Sequence, residues 1–436
     1  MTTPSLSQII TDPSCMDDYD PNSMPVDKAR TFIRQFLSPV TTVENLNLRD
    51  TLGRILAADI LSPCNVPNHD NSAMDGYAYA IESVAAGEST TTSLKIIGTA
   101  FAGKAFNAHV KVGECVRVMT GAVIPTGANT VIMQERVSIA GDSITLNEAQ
   151  KQGANVRYAG EDLRLNQVVL AAGHLMRPAD LGLIASLGIG ELSVFRKIKV
   201  AFFSTGDELT QIGQPLASGQ IYDSNRYTIY GMLSRLGVEI IDMGVVRDDP
   251  ALLENALLAA ANQADVILTT GGVSVGEADY MKDLLAKHGQ VLFWKIAMKP
   301  GRPLAFGKVA GGSSTNKNTA HYFGLPGNPV STMVTFYQFV REAMLILMGQ
   351  NKPKPLPMLN AICTGNIKKM TGRTEFQRGV LYIADDGLWK VKPTDNQSSG
   401  VLRSMSEANC FIVLGDTVSN VAAGAMVQVQ ILEGII

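Results

Sequence analysis

Residues 269–283, "TTGGVSVGEADYMKD", place three glycines, small hydroxyl residues and the acids Glu277 and Asp279 directly after the apolar run "ADVIL". Gly271 and Gly272 allow close backbone approach or positive φ, and the free N–H groups of a following helix favour an anion. A plain tight turn would use the same glycines. The acids change the balance, because a carboxylate beside an anion needs a metal or a proton between them, and Mg2+ bridging a phosphate supplies that. Two further runs end in acids: "STGDEL" in Asp207 and Glu208, and "VVRDDP" in Asp248 and Asp249. Asp249 precedes Pro250 and is expected to cap a helix, whereas Asp248 has no such role. Asp207 alone could be another cap.

Cations face these acids. In "FWKIAMKPG", strand alternation sets Lys295, Ala297 and Lys299 on one face and Trp294, Ile296 and Met298 on the other. Two lysines on one face are costly to bury without anions, and a solvent-exposed face is the alternative. Arg302 follows in "PGRP". "GLPGNPVS" contains Pro326 and Pro329 and opens a helix at Asn328-Pro329, where bare N–H groups favour an anion as ordinary capping would. Further polar turns stand apart from these. "DNSAMDGYAYA" carries Asp70, "VMTGAVIPTGA" carries Thr120, and "NVRYAGEDLRLNQ" sets Arg157 near Glu161 and Asp162, where a simple ion pair would suffice. Ser398 and Ser399 lie in "DNQSSGVLRSMSEAN", a string equally suited to a solvated loop.

The elements that position these residues follow from periodicity. "VDKARTFIRQFL" puts Val26, Ala29, Phe32, Ile33 and Phe36 on one helical face. Between about 57 and 150 short β-like runs alternate with Gly, Pro and Asn. A short helix is expected over "PADLGLIASLG", from Pro178 to a stop at Gly188. From Lys197 the pattern becomes strand, helix, strand, helix: "KVAFFST", then "SNRYTIYGMLSRLG" with Ser224 as cap, "VEIIDMGVV", a helix from Pro250, "DVILTT", a helix over 279–288, "VLFWKIAM", "HYFGL" and a long helix. Apolar, non-alternating strands interleaved with helices predict a parallel, doubly wound α/β sheet, whose ligands bind beyond the strands' carboxyl ends. The last segment, about 352–436, returns to β texture and predicts a small barrel or sandwich.

Composition removes other classes. The 436 residues suggest two to four domains, and a net charge of -3 disfavours binding driven by nucleic-acid phosphates. Cys15, Cys64, Cys115, Cys363 and Cys410 form no CxxC pair, which disfavours a disulfide framework and a structural zinc site. An acidic start with no Lys or Arg before Lys28 matches neither a secretory signal nor a transit peptide. No uncharged apolar run is long enough to span a membrane. A soluble cytoplasmic protein is expected, with a poorly ordered tail over residues 1–24.

The strings "DNSAMDGYA", "MTGAVIPTGA", "RYAGED", "STGDEL", "TTGGVSVGEADY", "KPGRP", "GLPGNP" and "SSGVLRSMSEAN" occur in an order that resembles the MoeA family, the molybdopterin molybdenumtransferases related to the gephyrin E domain. The resemblance runs from about residue 25 to the C-terminus. It implies a homodimer of multidomain subunits: an elongated dimerisation domain (25–56 and 154–195), a small β-rich domain (57–153), an α/β cofactor-binding domain like that of molybdopterin adenylyltransferases (196–350), and a C-terminal β-barrel-like domain (351–436). It implies Mg2+-dependent insertion of molybdate into adenylylated molybdopterin with release of AMP. By the same resemblance Glu208, Asp248 and Asp279 are expected to be catalytic and metal-holding, and Lys295, Lys299 and Asp162 catalytic. Asp70, Thr120, Gly271, Gly272, Ser274, Gly276, Arg302, Pro326, Pro329, Ser398 and Ser399 are expected to bind the cofactor, with Asp70, Thr120 and Asp162 reaching the cleft from the partner subunit. The molybdopterin adenylyltransferase and downstream cofactor-maturation proteins are the implied partners. Asn129 and Asn166 depart from the family's usual residues, and Asn at 166 can keep a left-handed turn. An adenylyltransferase or a gephyrin-like scaffold is the alternative. Against the first stand the extra β domains, and against the second the retained acids and lysines.

Overall fold

The computed structural model describes residues 23–84, 92–148, 150–271, 278–311 and 319–432; the side chains of 278, 279 and 293 are outside that description. Helix α1, Val26–Gln35, buries Val26, Ala29 and Ile33 and packs Phe32 and Phe36 against the same core, as its apolar face requires. Residues 76–146 form one six-stranded sheet. Three two-stranded pairs (43–47 with 191–195, 60–61 with 168–170, 71–72 with 156–157) join distant parts of the chain beside it. Helix α2, Pro178–Ser186, stops ahead of Gly188 in the left-handed region (φ 73°). Asn166 also adopts φ 64°, which an asparagine tolerates.

The central unit contains β1 (Lys199–Thr205), α3 (Ser224–Leu236), β2 (Glu239–Val246), α4 (Pro250–Gln263), β3 (Val266–Thr270), α5 (Ala278–His288), β4 (Gly289–Lys295), β5 (Pro303–Ala310) and β6 (Thr319–Leu325). The sheet order is β2-β1-β3-β6-β5-β4. Strand alternation buries both faces. Val200, Phe202, Leu268 and Phe323 pack towards α1 and α3, while Ala201, Phe203, Ile267 and Tyr322 pack towards α4 and α5.

Several expectations need correction. The sheet is mixed: β2, β1, β3 and β6 are parallel, but β5 runs antiparallel to both β6 and β4. "VLFWKIAM" is not one strand, because β4 ends at Lys295 and Met298–Lys299 pairs instead with Thr374–Glu375 of the C-terminal unit. The alternation survives this break, with Trp294, Ile296 and Met298 buried and Lys299 exposed. Ser224 does not cap α3; the Asp223 carboxylate accepts from the Arg226 N–H at 3.1 Å, a shorter reach than Ser224 could provide from inside the first turn.

After β6 comes α6, Pro329–Thr335, which runs through a π-helical turn at Phe336–Val340 into α7, Arg341–Leu347. The C-terminal strands 374–383, 389–393, 358–363, 426–431 and 410–414 pair in sequence, and a further pairing of 374–383 with 410–414 closes them into a barrel. Closure leaves these strands no free edge.

Candidate active site

Four segments converge at the carboxyl ends of β1, β3 and β6. They bound a cleft of about 1170 Å3 together with the 299–303 loop and the barrel loop 397–402. This is where a parallel α/β sheet binds ligands. Gly271 makes the convergence possible. It has φ +89°, and a Cβ there would sit 2.4 Å from the Thr205 carbonyl oxygen. Its Cα also lies 3.6 Å from where a Cβ on Gly327 would be, so two loops meet glycine to glycine.

The floor is built on Asn225, which the sequence did not single out. Its Nδ2 donates to Thr270 Oγ1 at 2.8 Å and to the Gly327 carbonyl at 2.7 Å, tying α3 to the ends of β3 and β6. Thr332 Oγ1 and Thr270 Oγ1 both donate to the Pro326 carbonyl, which fixes the loop containing Pro326 and Pro329. Around this floor Ser204 Oγ, Thr205 Oγ1, Asp223 Oδ2 and Asn225 Oδ1 are buried without a hydrogen-bond partner among the described residues. Buried polar atoms are nearly always satisfied, so this cluster has the character of a ligand site.

The opposite wall comes from the barrel. Arg378 is 1% exposed. It donates to Ser404 Oγ at 3.1 Å and to the carbonyls of Asn396 and Ser398 at 3.2 and 3.1 Å, which shapes the loop of Ser398 and Ser399. Burial pushes its pKa down to about 10, so it stays charged at neutral pH. The Val330 N–H donates to the Ser399 carbonyl at 3.1 Å, so the start of α6 is partly engaged by the barrel, and the Asn328 side chain makes no cap bond.

Of the expected residues, Glu208, Gly271, Lys299, Arg302, Pro326, Pro329, Ser398 and Ser399 line the cleft. Arg373 adds a cation that the sequence did not single out, and Asp223 an acid. Lys295 and Asp248 are not in the wall; Asp248 lies beside the Glu208 loop, its N–H 3.4 Å from Asp207 Oδ1. Gly272, Ser274 and Gly276 lie outside the described residues, as does Glu277, and the Asp279 side chain is not described, although its backbone sits in the first turn of α5. Among the described residues no three His, Cys, Asp or Glu side chains cluster closely enough to hold a metal ion.

Asp70, Thr120 and Asp162 lie elsewhere, each held by its own partner. Asp70 Oδ1 accepts from the Ala159 N–H at 2.8 Å, and the Asp162 N–H donates to the Val66 carbonyl at 3.0 Å. Thr120 donates through both its N–H and its hydroxyl to Asp75 Oδ1, and these bonds lower the Asp75 pKa. All three residues are exposed, and none lines the cleft of its own chain. Arg157 pairs with Glu161 at 2.6 Å, the simple ion pair.

Three family models match the chain: the MoeA N-terminal region (domains I and II) over residues 24–188, a probable molybdopterin binding domain over 201–345, and the MoeA C-terminal region (domain IV) over 360–432. A molybdopterin molybdenumtransferase of Haemophilus influenzae is 46% identical over 408 residues, covering 93% of this chain and 98% of the relative. A second relative, molybdopterin molybdenumtransferase 2 of Mycobacterium tuberculosis, is 34% identical over 390 residues, covering 88% and 93%. The crystal structure of a molybdopterin biosynthesis protein, moeA, from Pyrococcus horikoshii superposes with a TM-score of 0.78 at 28% identity. It covers 94% of this chain and all of that one.

Proposed function

The chain belongs to the MoeA family, and from that membership we propose that its cleft binds adenylylated molybdopterin and molybdate and joins the metal to the pterin with release of AMP. It is a transferase of molybdenum cofactor biosynthesis. The observation that carries the finer reading is the meeting of strand-end acid, basic loop and serine loop in one wall. Glu208, Lys299–Arg302 and Ser398–Ser399 all face the same volume.

Lys299, Arg302 and Arg373 outnumber Glu208 and Asp223 there, which suits an anionic ligand. The substrate's phosphates would lie towards Gly271 and the start of α5, and its pterin towards the barrel loop. Serine hydroxyls and lysine donate to oxyanions, so Lys299, Ser398 and Ser399 suit molybdate. Glu208, Asp248 and Asp279 would hold Mg2+. Glu208 in the cleft wall fits that role, because Mg2+ takes hard oxygen ligands and needs only one or two carboxylates beside substrate phosphates; the buried Asp223 Oδ2 offers another oxygen, while Asp248 stands outside the wall. When bound, Mg2+ neutralises charge on the phosphate bridge. The protein's part is to hold that bridge open to a water: the water oxygen bonds to the adenylate phosphorus, the bridging P–O bond breaks to free AMP and the pterin phosphate, and the water's proton passes to a freed phosphate oxygen or to solvent.

A homodimer accounts for Asp70, Thr120 and Asp162, which would complete the partner's cleft. It is supported by an exposed apolar surface on α3 and the preceding segment, where Tyr227 and Tyr230 are 54% and 52% exposed beside Ile212, Ile221 and Tyr222. The domain limits expected from the sequence are retained in this reading.

The test mixes the full chain with adenylylated molybdopterin, Mg2+ and molybdate and follows AMP. Molybdate-dependent release is expected, falling at least 100-fold in Asp279→Ala and Glu208→Gln. Release that ignores molybdate, or none from a folded preparation, overturns the reading.

A further inference from the structure

A second cavity, of about 420 Å3, lies between the turn 171–175, Arg177, α7 and the segment 350–354 that leads to the barrel. It shares no residue with the cleft described above. Its volume lies in the range of a small-molecule site, and it is open to solvent.

Its charge is one-sided. Arg341, Lys352 and Lys354 face it, and no acid lines it, in a chain whose net charge is -3. His174 and Arg177 are in the wall too, but both are engaged by Asp180, at 2.7 and 3.1 Å. Arg341 is half-buried; burial lowers its pKa, and the charges of Tyr337 and Glu342 offset that only in part. It also borders a groove beneath α1, where the two acids are already held, Asp27 by Arg30 and Glu342 by Arg34. A half-buried cation that shares its acid with another arginine gains from a further anion.

The wall is also built rather than loose. The Asn351 N–H donates to the Gly173 carbonyl at 3.1 Å, and a Cβ on Gly173 would come within 2.6 Å of the Asn351 Cβ. Lys352 is held at φ 51°, a region that residues with a side chain seldom occupy. Gln350 Oε1 is buried in the same wall with no donor among the described residues. The ligand therefore needs an anionic group for the cations and a hydroxyl or N–H for Gln350.

We infer that this cavity binds a phosphorylated, hydroxyl-bearing small molecule of the sugar-phosphate class, at a site separate from the catalytic cleft. Arg341 and the two lysines take the phosphate, and Gln350 accepts from a hydroxyl.

Ribose 5-phosphate titrated into the full chain by calorimetry tests this. In Lys299→Gln/Arg302→Gln, which weakens the cleft, one saturable site should persist. On that background Arg341→Gln, and separately Lys352→Gln/Lys354→Gln, should each weaken it about tenfold or more, as loss of charge-assisted bonds does. Gln350→Leu should weaken ribose 5-phosphate but not inorganic phosphate. Both lysines are exposed, so their variant decides the matter if Arg341→Gln fails to fold. Absence of saturable binding on the cleft-weakened background overturns the proposal. So does an affinity that falls with salt but ignores the lysine variant, or an acidic peptide that binds there more tightly than the sugar phosphate.

Discussion

Asn225 joins three elements with one amide. It is buried, its two donor bonds go to Thr270 Oγ1 and the Gly327 carbonyl, and its own Oδ1 is left for a ligand. Asn225→Ala should therefore cost about 1–3 kcal/mol, because two acceptors lose a buried donor. A drop in the urea midpoint measures that loss. Turnover should fall by more than the unfolded fraction explains, since the Gly271 and Gly327 loops lose their common anchor. No periodicity in the sequence could reveal this role, because the partners of Asn225 lie 45 and 102 residues away. Glu208 and Lys299 were legible for the opposite reason, each sitting at the end of an apolar run, whereas Ser398 and Ser399 were legible only through the resemblance to a family. Similar strings carried Asp248 and Lys295, which do not reach the cleft wall. A string shows that a residue is near a strand end and not which way it points.

Helix starts give two further tests. Asp249 accepts from the Leu252 N–H at 2.9 Å as the cap of α4, so Asp249→Ala should lose about 1 kcal/mol of stability with turnover unchanged. Asp248→Ala should lose AMP release by more than any change in its thermal midpoint explains. At α2, desolvation alone would raise the Asp180 pKa, but bonds from Arg177, His174 and the Arg177 N–H outweigh it and hold it at about 2, against an ordinary 3.8. A depressed carboxyl stabilises above its unfolded pKa. About 2 kcal/mol should thus be present above roughly pH 4 and lost as pH falls towards 2. Urea midpoints between pH 5 and 2 should show that fall, and Asp180→Asn should flatten it. The helices were legible because cap, proline and stopping glycine are local signals. β5 was not: "PLAFGKVA" has Gly307 at its middle, which reads as a break. In the fold that glycine admits the neighbouring strand, since a Cβ there would lie 2.1 Å from the Gln290 carbonyl oxygen.

For the whole molecule the strongest test is assembly. If the exposed face of α3 is the subunit contact, Tyr227→Glu/Tyr230→Glu should convert a dimer to monomer in sedimentation velocity at micromolar protein. Turnover should fall with it, because Asp70, Thr120 and Asp162 would no longer reach a cleft. A variant that stays dimeric would move the contact elsewhere. The domain sequence was legible from texture, from short β-like runs to strand-helix alternation and back. How the units are tied was not, because it rests on pairings between remote segments. One of these is the two-residue strand Met298–Lys299, which leaves the α/β sheet and pairs with Thr374–Glu375, with the Thr374 N–H also donating to the Ala297 carbonyl. Lys299 is thus held between the barrel strand and the α/β unit, whose core buries the neighbouring Met298. Phe376 and Phe411 of the barrel share one core with Leu325 and Phe336, and the Ser399 carbonyl is held by the Val330 N–H. The spacing between the basic, serine-bearing wall and the strand-end acids is thereby set by packing, and a ligand must match that spacing as a key matches a fixed lock.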